Sequence, residues 1–313
     1  MKQTGLQLKR GGESFAGSQP YYPKSYGGFI RHLILELRPK QWTKNLIVFA
    51  ALIFSENIFD AELLIRSIGA FFAFCFISGT VYILNDIFDR EKDRLHPTKK
   101  YRPIASGKLS VTAATVSGIV ILTFSLAMSF YLDYLFGVIM AFYFLINVAY
   151  TLRLKHVVIV DVMIIALGFI LRAVSGAVVI GVQLTSWFLI CTMLLALFLA
   201  LAKRRHELVL LQDEKEEHRP VLGEYSTHLL DQLISIVTAA TIMAYALYTF
   251  TSDKPVELMF TIPFVIYGMF RYLYLVHIRN QGGSPERILL EDKHILLTVI
   301  LYGVSVIIIL KYF

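Results

Sequence analysis

The chain has 313 residues, 56% of them hydrophobic, and a mean hydropathy of +0.62. That balance excludes an ordinary soluble domain. A net charge of +7 would suit a nucleic-acid binder, but the Lys and Arg residues are dispersed between apolar runs, so no nucleic-acid partner is expected. Cys75 and Cys191 both fall inside apolar runs, which excludes a disulfide framework and a cysteine-based metal spacing.

In chain order, residues 1–28 are polar, rich in Gly, Ser and Tyr, and lack the apolar stretch of a cleavable signal. They read as a mobile cytoplasmic tail ahead of a single integral domain over 29–313. Apolar runs of about 18 residues or more then recur. They predict about nine spans, near 43–59, 64–86, 110–131, 134–151, 157–181, 186–203, 228–250, 256–277 and 292–312. A span must satisfy its own backbone within lipid, and no alternation of barrel strands is present. The fold class is therefore all-α, a polytopic integral membrane protein.

Lys and Arg collect in 1–44, in 90–108, at Arg153 and Lys155, in 203–219 and in 271–293, while the alternate connections hold only Arg66, Lys254 and Lys311. This positive-inside bias puts the N-terminus inside and implies a multi-pass protein of the cell inner (plasma) membrane. The outer connections are short, as at Gln183-Leu184-Thr185. The longer inner ones, 86–109, 203–227 and 279–292, carry nearly all the chemistry, so the site is expected on the cytoplasmic side.

The second span ends in Asn85-Asp86-Ile87-Phe88-Asp89-Arg90-Glu91-Lys92-Asp93. Aspartates at i, i+3 and i+7 share one helix face. Such a cluster at a membrane boundary is costly unless a cation sits in it. Mg²⁺, a hard ion that shares its shell with substrate phosphates, fits the oxygen donors Asp86, Asp89 and Asp93. Asp93 stands roughly 10 Å from Asp86 along the axis, so one ion does not easily take both ends. A diphosphate with one or two Mg²⁺ ions spans that distance, and Asn85 adds a carbonyl oxygen. The bland alternative is a solvated helix end whose acids pair with Arg90, Lys92 and Arg94. The basic segment that follows, His96-Pro97-Thr98-Lys99-Lys100-Tyr101-Arg102-Pro103, weighs against it because it suits phosphates.

Asn85-Asp86-x-x-Asp89-x-x-x-Asp93, with its continuation from His96 to Gly107, resembles the first aspartate-rich motif of the UbiA-type intramembrane prenyltransferase superfamily. The closer resemblance is to its decaprenyl-phosphate phosphoribosyltransferase branch, over about residues 30 to 300. It is carried by Arg38-Pro-Lys-Gln-Trp-Thr-Lys-Asn45, Tyr150 with Leu154-Lys155-His156 and Asp161, Arg172-Ala173 and Gly176, and Ser186-x-Phe188-Leu189. Lys203-Arg204-x-x-Glu207-Leu208, Arg271-Tyr272 and Gly283-Ser-Pro-Glu286 with Asp292 extend it. Members that transfer isoprenyl groups usually carry a second Asp-rich motif after span six. Here that position reads Lys203-Arg204-Arg205-His206-Glu207, and Asp213 has no aspartate partner at the right spacing. A basic replacement suits a substrate with extra phosphates.

The resemblance implies a UbiA-like bundle that moves the 5-phosphoribosyl group from 5-phosphoribosyl diphosphate to a polyprenyl phosphate, in the supply of arabinose donors for cell envelopes. Mg²⁺ on the three aspartates would stabilise the leaving diphosphate, and C1 of the sugar would gain oxocarbenium character. The lipid phosphate is already anionic, so no strong general base is needed. Lys44, Lys99, Lys100, Arg102, Lys155, Lys203 and Arg204 are the candidates for screening two approaching anions, with Lys99 to Arg102 on diphosphate or 5-phosphate oxygens. Each of these, taken singly, also reads as a topology anchor. Asp161, an acid inside the membrane, would orient Lys155, a tyrosine or a ribose hydroxyl. Tyr150 reads as a phosphate contact or as part of an interfacial aromatic belt. Arg172, roughly 16 Å further along the same helix, is too far to pair with Asp161 and would snorkel or bond helix carbonyls. Family analogy alone implies a homo-oligomer, a trimer. The nearest alternative is transfer of a polyprenyl group from its diphosphate to an aromatic or other small acceptor. A transporter is disfavoured, because no repeated halves are visible and the acids sit at one face.

Overall fold

The computed structural model describes residues 26–55, 59–210, 220–252 and 254–313. Most of the expected tail lies outside the described residues, as do Asp213 and His218. The described α-helices are α1 (Tyr26–Glu36), α2 (Ala50–Phe54), α3 (Ala61–Phe88), α4 (Arg90–Leu95), α5 (Val111–Leu132), α6 (Tyr134–Leu152) and α7 (Val160–Ile180). They continue with α8 (Ser186–Leu210), α9 (Thr227–Thr251), α10 (Ile262–His277), α11 (Pro285–Glu291) and α12 (Lys293–Tyr312). Among the described residues, eight helical segments are long and apolar enough to cross a bilayer, the one ending in α10 starting at Val256. Asp60, Ser110, Asp133, Ser226 and Asp292 cap α3, α5, α6, α9 and α12, each side chain accepting from a first-turn N–H.

The segment expected as the first span is built differently. Pro39–Phe49 is a 3-10 helix of 11 residues, and α2 adds five more. A 3-10 helix rises about 2.0 Å per residue against 1.5 Å for an α-helix, so the pair reaches roughly 30 Å. That matches the thickness of the hydrocarbon core. The crossing is required, because Arg38 touches Asp86 at one end of α3 whereas the chain re-enters α3 at Ala61, the other end. Val48, Ala51 and Leu52 are buried in this segment. Gly176 on α7 makes the close approach possible, since a Cβ there would run into the Val48 carbonyl.

Within lipid, helices associate through packing and polar contacts rather than by leaving water. α3 is central, with 61% of its most apolar stretch buried, whereas α5, at 17%, turns most of its surface outward. Ring pairs such as Phe74–Tyr143, at 5.4 Å between centroids, fix the first core cluster. Phe198–Tyr272, at 5.2 Å, does so in the second. Arg172 is buried and donates to Asn45 Oδ1 (2.7 Å), the Gly168 carbonyl (2.8 Å) and the Tyr143 hydroxyl (2.7 Å). One guanidinium thus ties α7 to the 3-10 segment and to α6.

Candidate active site

α3 has 28 residues, about 42 Å of helix, so its last turn stands beyond a hydrocarbon core of about 30 Å. The helix breaks at Asp89, whose φ of −89° and ψ of 6° are no longer helical. Backbone bonds from Asp89 N to Asn85 O and from Asp93 N to Asp89 O, both 2.8 Å, carry the chain through the bend into α4. Asp86 and Asp93 are both buried. A single nitrogen, Arg102 Nη1, donates to Asp86 Oδ1 at 2.9 Å and to Asp93 Oδ2 at 2.6 Å. The two carboxylates thus stand closer together than the roughly 10 Å that an unbroken helix puts between positions seven apart.

Arg38 supplies a second cation. Its Nη2 lies 2.6 and 2.8 Å from the two Asp86 oxygens, and its guanidinium stacks on Tyr82 at 4.7 Å. The Arg38 backbone is left-handed, with φ 50° and ψ 64°, a conformation uncommon for a residue with a Cβ. Glu36, also buried, accepts from Ile104 N at 2.9 Å and hydrogen-bonds Asp86. Burial, then the hydrogen bond and charge of Asp86, push its carboxyl up to about 8, so at neutral pH it is the proton donor of that pair.

Asp89 takes Lys155 Nζ at 3.2 and 3.4 Å. Among the described residues no three His, Cys, Asp or Glu side chains are gathered as a ready metal-ligand set. The donors still fit a hard cation: two buried carboxylates close on one cationic nitrogen, and Asp89, three residues on from Asp86, holds a lysine of its own. The bland pairing is not what forms, since Arg90 and Arg94 engage Glu91 instead.

The other candidates divide. Lys99 and Lys100 are exposed on the 3-10 turn Lys99–Tyr101, with Lys100 over the Tyr101 ring at 5.3 Å, and Arg102 of the same basic segment enters the acid cluster. Asn85 accepts from the Thr151 hydroxyl and links α3 to α6. Asp161, expected on Lys155, a tyrosine or ribose, meets a tyrosine, Tyr225, and also pairs with Arg204. Arg204 Nε reaches Asp161 Oδ2 at 2.6 Å, and its other nitrogens meet Glu207 (2.5 Å) and the Tyr150 hydroxyl (3.4 Å). The Tyr225 hydroxyl donates to Asp161 Oδ1 at 2.7 Å and accepts from Ile159 N at 2.7 Å. Burial and then Asp161 push that phenol up to about 12. These groups tie α7 to α8 and to the loop ahead of α9. Lys44 stands 4.0 Å from Glu286, whose other oxygen accepts from Gln41 at 2.7 Å.

Residue patterns alone miss Glu36, Arg38, Gln41 and Tyr225 as parts of the site. A lone acid in Leu33-Ile34-Leu35-Glu36-Leu37 and an arginine before Pro39 are the available signals; Gln41 and Tyr225 carry none.

A family model described as the UbiA prenyltransferase family matches residues 46–290. The decaprenyl-phosphate phosphoribosyltransferase of Corynebacterium glutamicum is 33% identical over 83% of this chain and 81% of its own. The protein of that name from Mycolicibacterium smegmatis is 32% identical over 84% of this chain and 87% of its own. Among solved structures, a UbiA homolog from Archaeoglobus fulgidus bound to DMAPP and Mg²⁺ superposes with a TM-score of 0.71 at 21% identity. It covers 89% of this chain and 100% of that one, a likeness of fold.

Proposed function

The chain belongs to the UbiA prenyltransferase family, and on that premise we propose that it transfers the 5-phosphoribosyl group from 5-phosphoribosyl diphosphate to a decaprenyl-like polyprenyl phosphate, releasing diphosphate. The observation that carries this reading is the buried pair Asp86 and Asp93 closed on one cationic nitrogen, with Arg38 on Asp86 and Lys155 on Asp89. The sugar specificity is supported by the two relatives named as phosphoribosyltransferases.

A divalent ion such as Mg²⁺, held by Asp86 and Asp93 with Asp89 as a third donor, would supply Lewis-acid stabilisation of the leaving diphosphate. Arg38 and Arg102 then exchange carboxylate for phosphate oxygens, for which the guanidinium fork is suited, and Lys155 offers a point charge. Protonated Glu36 holds Asp86 through its hydrogen bond without adding a negative charge. The lipid phosphate attacks as an anion, so this set of residues needs no general base. Its work is positioning and electrostatics. The positive-inside pattern supports a site on the cytoplasmic side of the plasma membrane, where a water-soluble sugar diphosphate can reach it.

The test supplies purified protein with labelled 5-phosphoribosyl diphosphate, decaprenyl phosphate and Mg²⁺. Label should move into the organic-extractable lipid and stop moving after chelation. Label transfer solely from an isoprenyl diphosphate to a small acceptor would overturn the proposal.

A further inference from the structure

A second polar group at the mouth is assembled from pieces far apart in the chain. Glu286 opens α11, with its carboxylate on Gln41 (2.7 Å) and near Lys44 (4.0 Å) of the 3-10 segment. Lys203 of α8 acts on it electrostatically. Glycines seat this stretch: a Cβ on Gly283 would run into the His206 ring, and Gly282 N donates to His206 Nδ1 at 3.3 Å. Burial alone would raise the Glu286 carboxyl, but Lys44, the Gln41 bond and Lys203 together hold it below the ordinary carboxylate range, so it is ionised.

The helix before this stretch, α10, carries an orphan. Tyr272 is only 6% exposed, its ring is fixed against Phe198, and its buried hydroxyl has no hydrogen-bond partner among the described residues. Glu286 acts electrostatically on that phenol. Buried hydroxyls without partners are rare, and each calls for an explanation.

An ionised carboxylate with lone pairs to spare, an unpaired hydroxyl, an amide and ammonium groups match the needs of a vicinal diol. Each sugar O–H donates to the acid and accepts from a neighbouring donor, as carboxylates do when they read ribose elsewhere. An isoprenyl chain offers these groups no partner and would bury them unsatisfied. We propose that Glu286, together with the unpartnered Tyr272 hydroxyl, reads the pentose hydroxyls of the donor and restricts this site to a sugar diphosphate. This assignment rests on the phosphoribosyl reading given above and deepens it.

Purified protein is assayed with decaprenyl phosphate and either 5-phosphoribosyl diphosphate or its 3-deoxy analogue. The unaltered protein should favour the full donor by about 100-fold or more in kcat/KM, since sites built on hydroxyl contacts reject analogues lacking them. In Glu286→Gln the donor KM should rise about 10-fold, the order of one lost charged hydrogen bond, with the lipid KM unchanged and the preference collapsing toward unity. Tyr272→Phe removes an atom with no partner, so it should fold normally and shrink the preference in the same direction. Retention of the full preference by both variants would overturn the assignment while leaving phosphoribosyl transfer intact. If the unaltered protein uses no phosphoribosyl donor, the parent reading fails and this one with it.

Discussion

Glu36 and Asp86 share one buried hydrogen bond, and the proton in it has a measurable consequence. The folded protein holds that proton up to about 8, whereas an ordinary glutamate releases it near 4.5. Folding therefore takes up a proton between those values. The stabilisation is fully present below the unfolded value and is lost as pH rises through the folded one. Thermal unfolding of the detergent-purified protein should show the melting point falling as pH is raised from 5 to about 8, a slope Glu36→Gln should lack. Asp86 is the other half of the pair and the common partner of Arg38 and Arg102. Asp86→Asn should lower turnover by about 100- to 1,000-fold, the scale seen when one preorganised charge-stabilising group is removed. The readout is initial rate with labelled donor at matched membrane expression; a rate within a few-fold of the unaltered protein would remove Asp86 from the ion site.

Between elements, buried ion pairs tie neighbouring helices together. Arg204 and Asp161 have side chains 2% and 0% exposed and bind each other across α7 and α8. Asp161→Ala would leave a buried guanidinium short of its acid, with a cost of about 3–5 kcal/mol. The variant should unfold at markedly lower temperature in detergent, and a donor KM that rises with no loss of stability would return Asp161 to the substrate. Gly176→Leu should force the 3-10 segment off α7 and destabilise by about 1–3 kcal/mol or more through overpacking. These two sites also mark what residue patterns reveal. The aspartate motif and the inward basic loops are local and periodic, so the spans and the acid cluster are legible in the chain. The bend at Asp89 is not, because nothing in Asn85–Asp93 is a helix breaker, and that bend lets one nitrogen bridge Asp86 and Asp93. Asp161 and Arg204 lie 43 positions apart, and Gln41 and Glu286 lie 245 apart, so no spacing rule connects them. The 3-10 helix likewise hides, since an apolar run reads as a span whichever rise it adopts.

Across the whole molecule, the position of the site relative to the bilayer follows from how many times the chain crosses. The eight apolar helical segments among the described residues would alone put α1 and the end of α12 on one side. Arg38 against Asp86 demands one crossing more, through the 3-10 helix and α2, before α3 returns to the aspartates. That places residues ahead of Pro39 on the same side as the 90–108 loop, as the positive-inside pattern also requires. Lys40, Lys108 and Gln183 are all exposed, so single cysteines there will react if reagent reaches them. Cys75 is buried and Cys191 lies within α8, which keeps the background low. With a membrane-impermeant maleimide on intact cells, Gln183→Cys should label directly, whereas Lys40→Cys and Lys108→Cys should label only after permeabilisation. Labelling of Lys40→Cys from outside, alongside Gln183→Cys, would mean that the chain from Pro39 to Phe54 does not traverse the bilayer and that Arg38 cannot stand beside Asp86.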